Sequence, residues 1–209
     1  MTEVIPYKNV NEALTHLDNG GRFYNILTKA DDGIISEAEL GKVGGIFNDK
    51  QKMILFFELS ISKLDQEKRN SIILKLDNNL QELYSKYKPI EFLASEVETN
   101  EIITSNVIIT GVPQFTSSHS DFNGFIMTPV ISGNVTTFIM TPLIDSYDVY
   151  KLRDEKSNRI FLIAHAKQIE KLPPKKIKVA GVLKELKSDK NETPGVKKFL
   201  EAIYYMEID

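Results

Sequence analysis

At 209 residues and 23.7 kDa, with 42% hydrophobic residues, the chain can fill one large core or two small ones. Zero cysteines exclude disulfides, thiolate catalysis and Cys-type zinc sites, and there is no run of about eighteen apolar residues to suggest a membrane span. The net charge of −3 divides unevenly: residues 1–99 hold 12 Lys+Arg against 16 Asp+Glu, residues 100–150 none against 4, and residues 151–209 hold 14 against 9. A basic last third can attract phosphates, whereas the acidic remainder repels them. Met1–Val10 shows no apolar block behind a basic start, so no secretory signal is read. The expected location is cytoplasmic, with no membrane partner.

From Val10 to about Tyr87 the period is helical. Ala13, Leu14 and Leu17 form a short stripe closed by Asn19-Gly20-Gly21, and Phe23, Ile26 and Leu27 begin another. Glu37–Phe47 is a third, weakened by Gly41, Gly44 and Gly45. Lys50–Ser62 is apolar on too wide an arc for a surface helix, which predicts a central one. Asp65 is a candidate N-cap for a last helix running through Ile72, Leu76, Leu80 and Tyr84 to Tyr87, before Pro89. Residues 1–98 are expected to form an all-α bundle, with Pro89–Glu101 as connector.

After Thr99 the period becomes two. Strands are expected at Asn106–Val112, Val149–Leu152, Arg159–Ala164 and Lys176–Leu183, with a polar loop at Thr116–Asp121 and another at Lys187–Gly195. Phe199–Ile208 fits a strand or a helix. Phe125-Ile126-Met127-Thr128-Pro129 recurs as Phe138-Ile139-Met140-Thr141-Pro142, which predicts a hairpin about Gly133-Asn134 with Met127 facing Met140. In that register both prolines fall at non-hydrogen-bonded pairs, where a missing N–H is least harmful. Six or seven strands in residues 99–209 imply an α+β protein: a helical bundle followed by a closed antiparallel β-barrel.

Glycine and valine follow alternating runs at Gly111-Val112 and Gly181-Val182, and Leu172-Pro173-Pro174 precedes the second run. With these features, residues 102–209 resemble an oligonucleotide/oligosaccharide-binding (OB) barrel. No linking helix is found between the third and fourth strands, which leaves another small barrel open. Lys29–Leu40, with Asp31-Asp32-Gly33 and Ser36-Glu37-Ala38-Glu39, resembles the acidic turn of tellurite-resistance TerB-like helical domains. That resemblance implies an all-helical fold associated with stress response and metal-related processes.

The same turn resembles half a helix–loop–helix calcium site, with Asp32, Ser36 and Glu39 at ligand positions. Thr28 and Ala30 occupy the first two ligand positions, so Asp31, Asp32, Ser36 and Glu39 are not expected to bind a metal. Ser36-x-x-Glu39 fits a capping box instead. Ser117-Ser118-His119-Ser120-Asp121 contains the residue types of a triad, but neighbours in an extended segment point apart. No phosphate-cradling glycine loop occurs, no cofactor is implied, and a non-enzymatic binding protein is expected. Two partners are considered. Single-stranded nucleic acid would use the phosphate-binding cations Lys151, Arg159, Lys176 and Lys178, with Tyr150 and Phe161 stacking bases. Alternatively, the barrel is an interaction module for a protein or small ligand, with the helical part docking a partner.

Overall fold

The computed structural model describes residues 1–19, 31–97, 106–132, 135–154, 159–167, 171–185 and 198–208, giving strand course and pairing alone for 121–132 and 135–145. The stripe begun at Phe23, Gly20-Gly21, Thr28, Ala30, the boundary near Thr99, the Gly133-Asn134 tip and the Lys187–Gly195 loop lie outside these residues.

Five helices occur among the described residues: α1 (Val10–Leu17), α2 (Glu37–Gly44), α3 (Lys50–Ser60), α4 (Gln66–Ile73) and α5 (Asn78–Tyr87). Each begins at a short polar side chain that accepts from the N–H three residues on: Asn9, Ser36, Asp49, Asp65 and Asp77. The helix expected from Asp65 to Tyr87 is two helices. Ile35 pairs with Leu76, donating its N–H to Lys75 O at 2.7 Å and accepting from Asp77 N at 2.9 Å. The Leu74–Asp77 backbone is thereby diverted into a bridge, and Asp77 restarts the helix. Apolar spacing alone could not show this.

α3 is central, as its wide apolar arc predicts. Met53, Ile54 and Phe57 pack among the other helices, while Leu55 and Leu59 pack on Ile108, Ala180, Tyr204 and Met206. A helix held between a sheet and other helices is apolar on two sides, which explains its lack of one-sided patterning.

That contact overturns the expected fold class. The strands are β1 (Thr2–Glu3), β2 (Ile90–Leu93), β3 (Asn106–Ser132), β4 (Val135–Arg153), β5 (Ile160–Ala166), β6 (Ile177–Glu185) and β7 (Lys198–Glu207). They make one seven-stranded mixed sheet in the order β1-β7-β5-β4-β3-β2, with β6 between β3 and β7. Three pairings are parallel: β1 with β7, β2 with β3, and β5 with β7. Two strands, β1 and β2, come from the region expected to be purely helical, and β2 occupies the expected connector. The molecule is therefore not a separate helical bundle followed by an antiparallel barrel. Elements of two and four residues are too short to show a period of two, and parallel pairing leaves no mark on neighbouring sequence. The C-terminal segment is a strand.

Within the sheet, β3, β4, β5, β7 and β6 pair in a circuit that returns to β3. Val107, Ile109, Leu152, Ile163, Ile177, Val179 and Leu200 fill its interior. Two glycines allow the strands to close in. A Cβ on Gly111 would lie 2.5 Å from Arg153 O, and one on Gly181 would overlap Glu201 O, where the β6–β7 register shifts. Polar contacts tie helices to sheet as well: buried Asn106 donates to Tyr87 O at 2.7 Å and accepts from Gln51 Nε2.

Candidate functional site

The predicted stacking rings lie in the core. Tyr150 is 1% exposed and Phe161 2%, packed with Leu152 and Ile163. Tyr150 also accepts from Leu172 N at 3.2 Å and stacks on His165, so neither ring offers a face to a base. Ile177 and Val179 are buried, while Lys178 lies half-buried on the other side of β6 and Lys176, just before the strand, is half-buried too. Lys178 pairs with Glu91 at 2.7 Å. Lys175 pairs with Glu207, Lys184 with Glu201, and both Lys176 and Arg159 are engaged by neighbours. Lys151 sits half-buried on β4. The lysines and rings therefore do not form one groove. Alternation assigns residues to faces but does not say which face is covered.

In the acidic turn, Ser36 and Glu39 form the expected capping box: Glu39 Oε2 accepts from Ser36 N at 2.8 Å and from Ser36 Oγ at 2.7 Å. Asp31 (φ 57°) and Gly33 (φ 83°) make the turn, and Gly33 N donates to Asp18 Oδ2 at 2.7 Å. Asp32 accepts from Ile34 N. Asp18 Oδ1 and Glu39 Oε1 are buried without a hydrogen-bond partner, but no metal-holding group of three His, Asp or Glu is assembled among the described residues.

Ser117–Asp121 is part of strand β3, not a loop. Ser117 Oγ and His119 Nε2 are 2.8 Å apart on one side, and His119 stacks on Tyr147 at 5.3 Å. Ser118 lies on the other side, where its hydroxyl donates to Asp148. Pairing with β4 straightens what polar composition suggested was a turn.

Asp148 is the centre of a polar cluster that sequence inspection missed. Fully buried, it accepts from Ser118 Oγ and pairs with Lys171 at 2.9 Å. Burial pushes the Asp148 carboxyl up, but these two partners hold it below the ordinary carboxylate range. Lys171 also sits over Phe115, 4.0 Å from the ring centre. His165 is 4% exposed and donates through Nδ1 to Ala166 O at 2.6 Å, leaving Nε2 without a partner. Burial lowers its pKa. Only the pairing of Ser118 with Asp148, set by a register shift between Phe115 and Ser117, brings this cluster together.

The cluster marks the root of a β-arm. β5 pairs with β4 only over Tyr147–Arg153, and β6 with β3 only over Asn106–Gly111. Beyond these, residues 121–132 and 135–145 pair with each other alone among the described residues. The register is the one predicted from the repeat: Met127 opposite Met140, Pro129 opposite Phe138, Phe125 opposite Pro142, and Ser132 opposite Val135. Asp121 faces Asp145 at the root, and Phe122–Ile144 contains no charged residue.

Alternation along uninterrupted β4 puts Leu152, Tyr150, Asp148, Ser146, Ile144, Pro142, Met140 and Phe138 on one face. The first three are buried in the circuit. By register, Phe125, Met127, Pro129 and Ile131 share that face. The opposite face pairs one aliphatic with one hydroxyl residue at each step: Ile126 with Thr141, Thr128 with Ile139, Val130 with Thr137. The arm positions in register with the core-lining positions of β4 are thus apolar residues in sequence, except Thr136 opposite Ile131.

The chain matches no family model and no curated protein. No helix among the described residues is long and apolar enough to cross a membrane.

Proposed function

We propose that the protein is a non-enzymatic interaction module that seats the apolar face of its β-arm on a partner protein. The observation that carries this is the continuity of the arm's apolar face with the core face of β4. Inside the circuit that face is covered by the opposite strands. Along the arm, no further strand of the described chain pairs with it. A two-stranded ribbon is marginal in water by itself, so a covering surface supplies what the arm lacks. Single-stranded nucleic acid is the weaker reading, because Tyr150 and Phe161 are buried and Lys178 is paired with Glu91.

A photo-cross-linking residue placed at Met127 or Met140, in cells that make the chain, tests the proposal. Adducts are expected from these positions and not from Thr128 or Thr137 on the opposite face. Equal adducts from both faces, or none from either, would contradict it.

A further inference from the structure

We propose that Lys171–Pro174 is a strap latched onto the strand circuit, and that proton uptake by His165 unlatches it. The proposal is independent of what the β-arm binds.

The strap is held at few points. Lys171 pairs with Asp148 at 2.9 Å and lies over the Phe115 ring, 4.0 Å from its centre. Leu172 donates its N–H to Tyr150 Oη at 3.2 Å and packs, half-buried, against the interior of the circuit. Pro173 and Pro174 have no N–H to add. Both polar ties therefore end on β4, at Asp148 and Tyr150, which are buried two residues apart on the core face.

His165 stands beside both ties. It lies directly opposite Asp148 in the β4–β5 register, and its ring stacks on Tyr150 with centres 5.5 Å apart. Facing side chains of an antiparallel pair have Cβ atoms about 4.5–5.5 Å apart, so a charge on the imidazole acts on the carboxylate and on whatever the carboxylate holds. Nδ1 is committed to Ala166 O at 2.6 Å, and Nε2 is buried without a partner. An arriving proton therefore goes to Nε2. Asp148 on β4 favours that proton, while burial, the Met1 amino group and Lys171 on the strap oppose it.

At neutral pH the imidazole is uncharged, and Asp148 holds Lys171. Once the imidazolium forms, an added cation competes for the same buried carboxylate. The ring cannot withdraw, because its Nδ1 bond and its stacking on Tyr150 fix it. Lys171 can, because 43% of its side chain is already exposed and its long stem carries the ammonium out to water. The strap then keeps only its Leu172 tie, and the edge-to-face pair of Phe115 and Tyr150 loses its cation cover. Release falls below the ordinary imidazole range of about pH 6.5, since the folded site resists the proton. Asp148, held below the ordinary carboxylate range, stays ionised throughout.

NMR of the full chain with labelled lysine and histidine tests the latch, because the Phe115 ring displaces the Lys171 Cε–H signals while the strap is closed. Between about pH 7.5 and about pH 4.5, Lys171 should lose at least about half of that displacement, with the same midpoint as the His165 ring signals. The Val179 amide, in a strand paired on both sides, should stay at its folded position, which distinguishes local release from unfolding. In His165→Phe the Lys171 signals should stay displaced over the same range. Lys171→Met, on the surface, should raise the His165 midpoint by removing an opposing cation. Lys171 signals that stay put while His165 titrates overturn the proposal. So does an equal change in His165→Phe, an unmoved midpoint in Lys171→Met, or a His165 that stays neutral until the whole chain unfolds.

Discussion

Met127 lies opposite Met140 in the β-arm, so a five-residue segment runs past its own repeat about a local two-fold centre. The pairing also fixes which residues share a face with the buried Leu152 and Tyr150 on β4. The apolar positions of the arm are therefore in register with the core-facing positions of β4.

Closure of the strand circuit depends on backbone approach at Gly181. An added Cβ meets Glu201 O and the Ala202 backbone, neither of which can move as a side-chain tip could. Gly181→Ala is expected to lower stability by about 1–3 kcal/mol, read as a lower urea midpoint. Gly45→Ala meets no atom within 4 Å and is strained only by its left-handed φ of 65°, so its cost should be about 1 kcal/mol.

A buried charge network holds the helices. Glu58, 2% exposed, pairs with Arg69 and accepts from Tyr84 Oη at 2.9 Å. Tyr84→Phe should cost about 1.5–3 kcal/mol, as expected for a hydrogen bond to a charged group. Arg69→Met should cost more, about 3–5 kcal/mol, because it leaves a buried carboxylate without its counter-charge. Replacing Glu58 and Arg69 together should cost less than the sum of the single changes, measured as a denaturation double-mutant cycle.

Stability should fall on the acid side in two steps. Burial holds the His165 imidazole below its ordinary pKa, with Met1's amino group and Lys171 acting the same way and Asp148 opposing. As pH drops below about 6.5 the unfolded imidazole takes up a proton first, so the folded state loses stability from there down to the lowered pKa. Asp148, held low by Ser118 and Lys171 against the effect of burial, stabilises the fold above about pH 3.9. That contribution is lost as pH falls through its lowered pKa. Urea midpoints of the parent chain should therefore decline below about pH 6.5. His165→Phe should remove that upper step and leave the Asp148 step in place.

Much of the local structure was legible from residue pattern. The caps at Ser36 and Asp65, the central position of α3 and the Met127–Met140 register all follow from short-range rules, and the structure has each of them. Long-range choices were not legible. Nothing near Thr2 or Ile90 signals that these residues add strands parallel to β7 and β3. Tyr150 and Lys178 alternate as a binding strand would, yet one faces the core and the other meets Glu91 from a distant strand. The Asp148 cluster joins residues separated by up to 53 positions, from Ser118 on β3 to Lys171 before β6, and only the fold brings them together.

Thiol accessibility along the arm tests the central claim most directly. In the purified full chain, Met140→Cys and Ile139→Cys should both react readily with a maleimide, because no further strand among the described residues pairs with the arm. On addition of an extract of cells that make the chain, Met140→Cys should become protected while Ile139→Cys keeps its rate. A Met140→Cys thiol that is slow before the extract is added would show the face covered by its own chain, and would contradict the account.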